Sequence, residues 1–410
     1  MSNALIYSPS FDGHRQVYVF VLSHVLEECG YKVFIAGNTK KSYSNSFYID
    51  KLQHNTVTKF IDTSKYAQGG INITASEFMV LQEEFNIDLT IFAEADNHLA
   101  LLVSQILNGN KRFRGKLIGI FLRPFYYYNT SSILDKLKYL KHLPSKWKAD
   151  DNLFHEFLLP RFKLLDTALY LDENFVDHHR NCYWLPDVFQ QYADLILPDE
   201  KPEQRIWMER LLKFKESNKS RSHFLYFGTA QYRRGYDILL NLAVEKDGCF
   251  IHCGLRNTNE HFDYDTEELR YSLSQKGRLF ETNQFIEDPI CVDFFLLSVN
   301  HMILPYRDFY GSSGVMLQAL NLGMPVLAPD KGIIGYRLKT HKLGVAYTVM
   351  DSDSLSKQYD GFAVINPKDF EQNIKSYMNY QNPNQLRQVL VWALTGIGSP
   401  INNPSVHNHD

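Results

Sequence analysis

Cysteine is scarce: Cys29, Cys182, Cys249, Cys253 and Cys291 are the only five in 410 residues. A scattered, odd-numbered set excludes a disulfide scaffold and points to a reducing, cytoplasmic setting. The closest pair, Cys249 and Cys253, lies in the run CFIHC without a second pair to complete a zinc site, so both read as structural. No apolar run reaches the roughly 18 residues of a membrane span, and the opening MSNALIYSPSFDGHR lacks the charged start and apolar stretch of a secretory signal. Net charge is nearly absent, 43 Lys and Arg standing against 46 Asp and Glu. The resulting −3 gives no positive field, so no nucleic-acid partner is expected. Internal repeats, low-complexity tracts and heptads are missing too.

What is present is ordinary globular material, 44% hydrophobic and 22% charged, enough for a sizeable core. The length fits two domains of about 200 residues each. In the first half the apolar runs ALIYSP, YKVFIAGN, NIDLTIFA, RGKLIGIFLRP, LLDTALYLDE and CYWLPD alternate with helical stretches such as QVYVFVLSHVLEECG. A break follows at Pro186, Pro198 and Pro202 and at the polar run ESNKSRS. The alternation then resumes with HFLYFG, CFIHCG, RLFETNQF, HMILPY and MPVLAP as strands and YDILLNLAVE, VDFFLLSV and GVMLQALNLG as helices. This predicts an α/β protein of two Rossmann-like domains with parallel sheets, residues 1–186 and 187–375. Residues 376–410 are expected to supply C-terminal helices and a polar tail.

Ligands of open parallel sheets bind beyond the carboxyl ends of the strands, so the loops there carry the argument. In HMILPYRDFYGSSGVMLQALNLGMPVLAPDKGIIG a strand ends at Pro305, and Gly311, Ser312, Ser313 and Gly314 stand at the mouth of a helix. Free N–H groups, small residues and the positive end of the helix dipole make an anion site in outline; ordinary serine N-capping is the alternative. In FGTAQYRRGYDILL a strand ends at Gly228, and Arg233 and Arg234 fall near the start of the next helix. Cations there oppose the dipole, so a diphosphate would explain them, against the alternative of a solvated basic surface. The loop SPSFDGHRQVY holds Gly13, His14 and Arg15 between strand and helix but lacks the full Gly-x-Gly-x-x-Gly fingerprint.

These three sites together resemble the GT-B glycosyltransferases, in particular the large retaining family of group 1 that includes many bacterial polysaccharide enzymes. The likeness is loose over the first half and closest over residues 223–347. It implies two facing Rossmann-like domains around a cleft, the first for the acceptor, the second for a nucleotide-sugar donor, with the residues from 376 onward packing back toward the first. The family's Gly-Arg…Lys-Gly loop matches Gly228, Thr229, Arg234 and Gly235, so Arg234 replaces the lysine, Thr229 replaces the arginine, and Arg233 offers a substitute cation. Of two glutamates seven residues apart, the second falls on Gln318, beside the ribose. By strict spacing the first falls on Tyr310; with two extra loop residues it falls on Asp308, preferred as a carboxylate.

The resemblance further implies that Gly332 to Gly335 and the Gly13 loop line the donor cleft and that NQFIED, with Phe285 and Ile286, forms the base-binding edge. Many members carry a histidine where Arg123 stands. Glu94 and Asp96, ending the strand DLTIFA, face the cleft as groups for positioning an acceptor, with helix capping the alternative for Asp96. The expected site is thus catalytic Arg234, Asp308 and Glu94; a diphosphate cradle of Gly13, His14, Gly228, Arg233, Arg234, Ser312, Ser313 and Gly314; and nucleoside contacts from Phe285, Ile286 and Gln318. No metal or other cofactor is expected, because Asp351 and Asp353 form an Asp-x-Asp pair beyond the strand that follows the donor loops. Residues 131–148 read either as a basic amphipathic patch meeting an anionic membrane and a lipid-linked acceptor, or as a solvated helix on the core. The implied activity is retaining transfer of a sugar from a nucleotide-diphosphate sugar to a glycan or glycolipid hydroxyl. A sugar-nucleotide epimerase, a sugar phosphorylase and a non-catalytic scaffold or partner subunit are the rivals.

Overall fold

The computed structural model describes residues 1–8, 14–37, 47–53, 55, 58–66, 73–107, 112–122, 155, 158–179, 181–187, 201–246, 248–256, 262–286, 288–299, 301–307, 309, 311–348 and 352–400. The chain forms two compact units, Met1–Val188 with Gln381–Asp410, and Phe189–Tyr380. Strands of the first are β1 (Asn3–Tyr7), β2 (Lys32–Gly37), β3 (Lys59–Asp62), β4 (Ile87–Phe92), β5 (Lys116–Phe121), β6 (Thr167–Tyr170) and β7 (Cys182–Trp184). They pair in parallel, in the order β3-β2-β1-β4-β5-β6-β7. The second holds β8 (Ser222–Phe227), β9 (Gly248–Cys253), β10 (Leu279–Glu281), β11 (His301–Ile303), β12 (Val326–Pro329) and β13 (Gly344–Tyr347), again all parallel, in the order β10-β9-β8-β11-β12-β13. Each order reverses once, between β1 and β4 and between β8 and β11, which is where such sheets bind ligands.

Near-continuous apolar runs form these strands because both sheet faces are covered. Successive residues point to opposite faces, so in β8 Leu225 joins one apolar layer while Phe224 and Tyr226 join the other. Met302 and Ile303 of β11 divide in the same way. Helix starts are set by polar caps: Thr74 and Glu77 form a capping box on the helix Ala75–Glu84, and Asp263 and Asp288 cap Tyr264–Gln275 and Pro289–Leu297.

The helix Lys368–Met378 stays with the second unit, sending Ile374 and Tyr377 into its core. Pro383–Thr395 belongs to the first: Lys116 Nζ donates to the Leu394 carbonyl (3.1 Å), Arg387 pairs with Glu28 (2.7 Å), and Trp392 meets Tyr183 edge-on. All five cysteines are free, and burial pushes the Cys253 thiol up, an inert structural state. Among the described residues no helix is long and apolar enough to cross a membrane. The basic segment 131–148 and Asp351 lie outside the described residues.

Phe78, fully buried, is the hub of the first core, with Tyr7, Phe92 and Phe113 rings within 5.7 Å. Phe78→Ala is expected to destabilise that unit by about 3–5 kcal/mol in urea titration; a loss under about 1 kcal/mol would show that the core closes around the gap.

Candidate functional site

The loops after β8 and β11 leave the second sheet on either side of its switch point. After Phe227 the chain turns at Gly228 (φ +112°), whose N–H donates to the Cys253 carbonyl (2.8 Å). Ala230 continues the strapping, donating to the Leu255 carbonyl (2.8 Å). Arg233 and Arg234 then sit on a 3-10 turn, Tyr232–Arg234, and the helix Tyr236–Glu245 begins only after Gly235. The arginines therefore precede the helix instead of occupying its first turn, which carries Asp237.

Arg234 lies along Gly228: a Cβ at that glycine would fall 2.4 Å from Nη1. Among the described residues its Nε is buried without a hydrogen-bond partner, as is Oε1 of Gln231. Burial pushes the Tyr226 hydroxyl well up, and the charges of Arg234 and Arg233 beneath the loop pull against that. Gly235 (φ +71°) presses on Pro305 so closely that a Cβ would fall 1.7 Å from its carbonyl oxygen. The loops after β8 and β11 thus meet. Arg307 fastens them: its N–H donates to the Arg233 carbonyl (3.1 Å), its guanidinium forms a two-pronged ion pair with Asp237, and it lies 3.8 Å over the Tyr232 ring.

At the helix Gly314–Asn321 the capping reading holds, since the Ser313 hydroxyl accepts from the Met316 N–H (3.2 Å). Ser313 does so at φ +58°, a left-handed conformation uncommon outside glycine, which clusters at functional sites. Ser312 is held from below by Arg337, which donates to its carbonyl (2.9 Å) and hydroxyl (2.7 Å) while itself fully buried. Both hydroxyls accept in these bonds, which leaves each O–H available as a donor toward a ligand beside the backbone N–H groups, backed by a buried cation and the helix dipole.

Behind the glycine loop lies a polar network. The His252 ring contacts the Gly228 carbonyl through Nε2 (3.0 Å) and Glu281 through Nδ1 (3.3 Å). Tyr236 also donates to Glu281, and Arg270 pairs with it at 2.9 Å. Burial alone would raise the Glu281 carboxyl, but hydrogen bonds from His252, Tyr236 and Arg270 hold it at about 2.

Of the remaining expected residues, Phe285 exposes its ring after β10, whereas Ile286 is buried in the core. Gln318 lies half-buried one turn into the helix Gly314–Asn321. Gly335 packs on the Asp330 backbone, where a Cβ would fall 2.1 Å from its carbonyl carbon, so close helix packing explains that glycine. At the first unit's switch point Glu94 is buried just past β4. Asp96 accepts from the Leu122 N–H (2.6 Å) and ties two strand ends together. His14 opens the helix His14–Glu28, and its side chain lies outside the description, as do Gly13, Arg123, Asp308 and Tyr310. Arg307, Arg337 and the Glu281 network escaped sequence reasoning. Only Arg307 carried a signal, a basic residue two places after a strand-ending proline.

No protein-family model matches the sequence, and no curated protein matches it. Solved structures do match its fold. Sucrose-phosphate synthase from Thermosynechococcus elongatus superposes with a TM-score of 0.62 at 11% identity, covering 97% of this chain and 99% of that one. Anabaena HepE in complex with UDP and glucose gives 0.64 at 11% identity over 97% and 100% of the chains. WaaG, a glycosyltransferase involved in lipopolysaccharide biosynthesis, gives 0.56 at 12% over 96% and 100%. The two parallel-sheet units, matched across nearly the whole chain, are those of the GT-B fold.

The sign of the Glu281 effect follows from its depressed value. The stabilisation is complete above the usual 4.5 and is lost as pH falls from there toward about 2, on the order of 3 kcal/mol in all. Glu281→Gln is therefore expected to melt lower than wild type at neutral pH and to lose less stability across that acid window. Parallel melting curves against pH would refute the network's role.

Proposed function

We propose that the chain is a nucleotide-sugar-dependent glycosyltransferase of the retaining kind. It passes a sugar to a hydroxyl of a glycan or lipid-linked acceptor in surface polysaccharide or glycoconjugate synthesis. The observation that carries this reading is the pair of loops joined at Gly235 and Pro305: Arg234 against Gly228 on one side of the switch point, the Ser313–Gly314 helix mouth on the other. Two structural neighbours support it: WaaG is a glycosyltransferase involved in lipopolysaccharide biosynthesis, and Anabaena HepE is seen in complex with UDP and glucose.

Breaking the bond between the anomeric carbon and the phosphate oxygen leaves that electron pair, and a growing negative charge, on the diphosphate. Donors that strengthen as this charge develops lower the barrier. Arg234, assisted by Arg233 and by the N–H groups of Ser313 and Gly314, supplies them, so the reading needs no divalent ion. In the retaining geometry the acceptor hydroxyl attacks from the face the phosphate leaves, and the leaving phosphate takes its proton. Asp308 sits beside the donor sugar in this scheme, Glu94 positions the acceptor, and Phe285 and Gln318 meet the base and ribose.

Thermal shift against UDP, GDP, ADP and CMP is expected to show stabilisation by one diphosphate, through preferential binding to the native state. By calorimetry Arg234→Ala is expected to weaken that nucleotide's binding at least tenfold, a loss of about 1.5–3 kcal/mol for a charged hydrogen bond. Unchanged affinity, or no shift with any nucleotide, would favour the non-catalytic scaffold. Sugar transfer is expected to survive a strong chelator; its loss would return a metal to the mechanism.

A further inference from the structure

A concave recess lies in the same unit, at the edge of its sheet opposite the transfer loops. Lys215, Lys219, Arg221, His223 and His301 line a recess of about 470 Å³ where β8 and β11 begin. The Arg234 loop follows the other end of β8, six residues away, or roughly 20 Å at strand rise. No Asp or Glu is among the recess's described lining residues. Concave walls bearing one sign of charge concentrate ions of the other sign.

The simplest alternative is that these basic side chains serve helix C-termini, where positive charge and N–H donors are favourable. It accounts for two of them: Lys215 donates to the Ser298 carbonyl beyond the helix Pro289–Leu297, and His301 contacts the Ile365 carbonyl (3.2 Å) beyond Ser352–Val364. Two more have local partners, Arg221 on Asn218 Oδ1 (3.2 Å) and the exposed Lys219 on Glu216 (3.2 Å). His223 is different. Its Nε2 is buried with no hydrogen-bond partner among the described residues, and an unmade bond of that kind costs about 1–3 kcal/mol. Burial pushes Lys215, His223 and His301 down, and the Lys215 charge pushes His223 further the same way, so at neutral pH both imidazoles are uncharged and His223 offers Nε2 as a neutral donor.

We propose that this recess binds a phosphate group, as the free ion or as a phosphomonoester, with His223 as the buried donor and Arg221 and Lys219 closing over the anion. A tetrahedral oxyanion has acceptors enough for all three, while Lys215 and His301 keep their carbonyls and the Lys215 charge adds field. The site would sense phosphorylated metabolites from the edge of the sheet away from the transfer loops.

The test is titration of inorganic phosphate into the intact chain at constant ionic strength and near-neutral pH, followed by imidazole NMR. The His223 signal, assigned by its loss in His223→Gln, is expected to move saturably. The apparent affinity should fall about tenfold when Lys219→Gln and Arg221→Gln are combined, and should be unchanged in Arg234→Ala. A His223 signal that does not saturate, equal affinity in the double variant, or loss of the response in Arg234→Ala would overturn the proposal, the last by assigning phosphate to the transfer loops. Methyl phosphate in a parallel titration separates the sources: tighter binding than inorganic phosphate identifies an ester as occupant, weaker binding the free ion.

Discussion

The close approach of Gly235 to Pro305 is the constraint on which the second unit's site depends. These residues belong to loops that leave neighbouring strands on opposite sides of the switch point, and no side chain larger than hydrogen fits between them. Once they touch, Arg307 can reach both Asp237 and the Tyr232 carbonyl, which fixes the 3-10 turn carrying Arg233 and Arg234. The glycine at 228 performs the matching service for Arg234, leaving the guanidinium room to lie on the backbone. Two missing Cβ atoms and one ion pair thus decide where the cations stand.

The unit's arginines do different work, and the division explains why so many are present. Arg307 is matched by Asp237, Arg270 by Glu281, and Arg337 by the oxygens of Ser312. Among the described residues Arg234 meets no carboxylate, although it lies in the same loop system. Its Nε is buried without a partner among them, and a donor left unmatched costs about 1–3 kcal/mol. On the proposed function, a diphosphate arriving at Gly228 supplies the missing partner.

The sheets were legible because their strands are apolar runs of the length and composition that buried parallel strands need. β3 was not: of Lys59, Phe60, Ile61 and Asp62 only Ile61 is buried, since an edge strand covers one neighbour and needs little hydrophobicity. Glycines and arginines of the site could also be read, because motif spacing places them directly after strands. What spacing does not show is which residue a cation will pair with. Arg337 lies 25 positions after Ser312, and Glu281 lies 29 after His252, so these contacts form only through the sheet order. The same limit hid the turn in front of Gly235, where the arginines read as the first turn of a helix.

The helices of a parallel sheet begin at its carboxyl edge and end at its amino edge, so the two edges are electrically unlike. At the carboxyl edge an anion finds N–H groups already aimed at it, and one or two arginines suffice beside the mouth at Ser313 and Gly314. At the amino edge it meets carbonyls, here those of Ser298 and Ile365, which must be covered before the local field turns positive. Lys215 and His301 do that covering. The further cations at Lys219 and Arg221, beside the His223 ring, then produce the net attraction that dipoles supply on the other side. A basic recess at the amino edge is therefore the more demanding construction, and its concentration of charge against the grain of the helices is what marks it as more than surface.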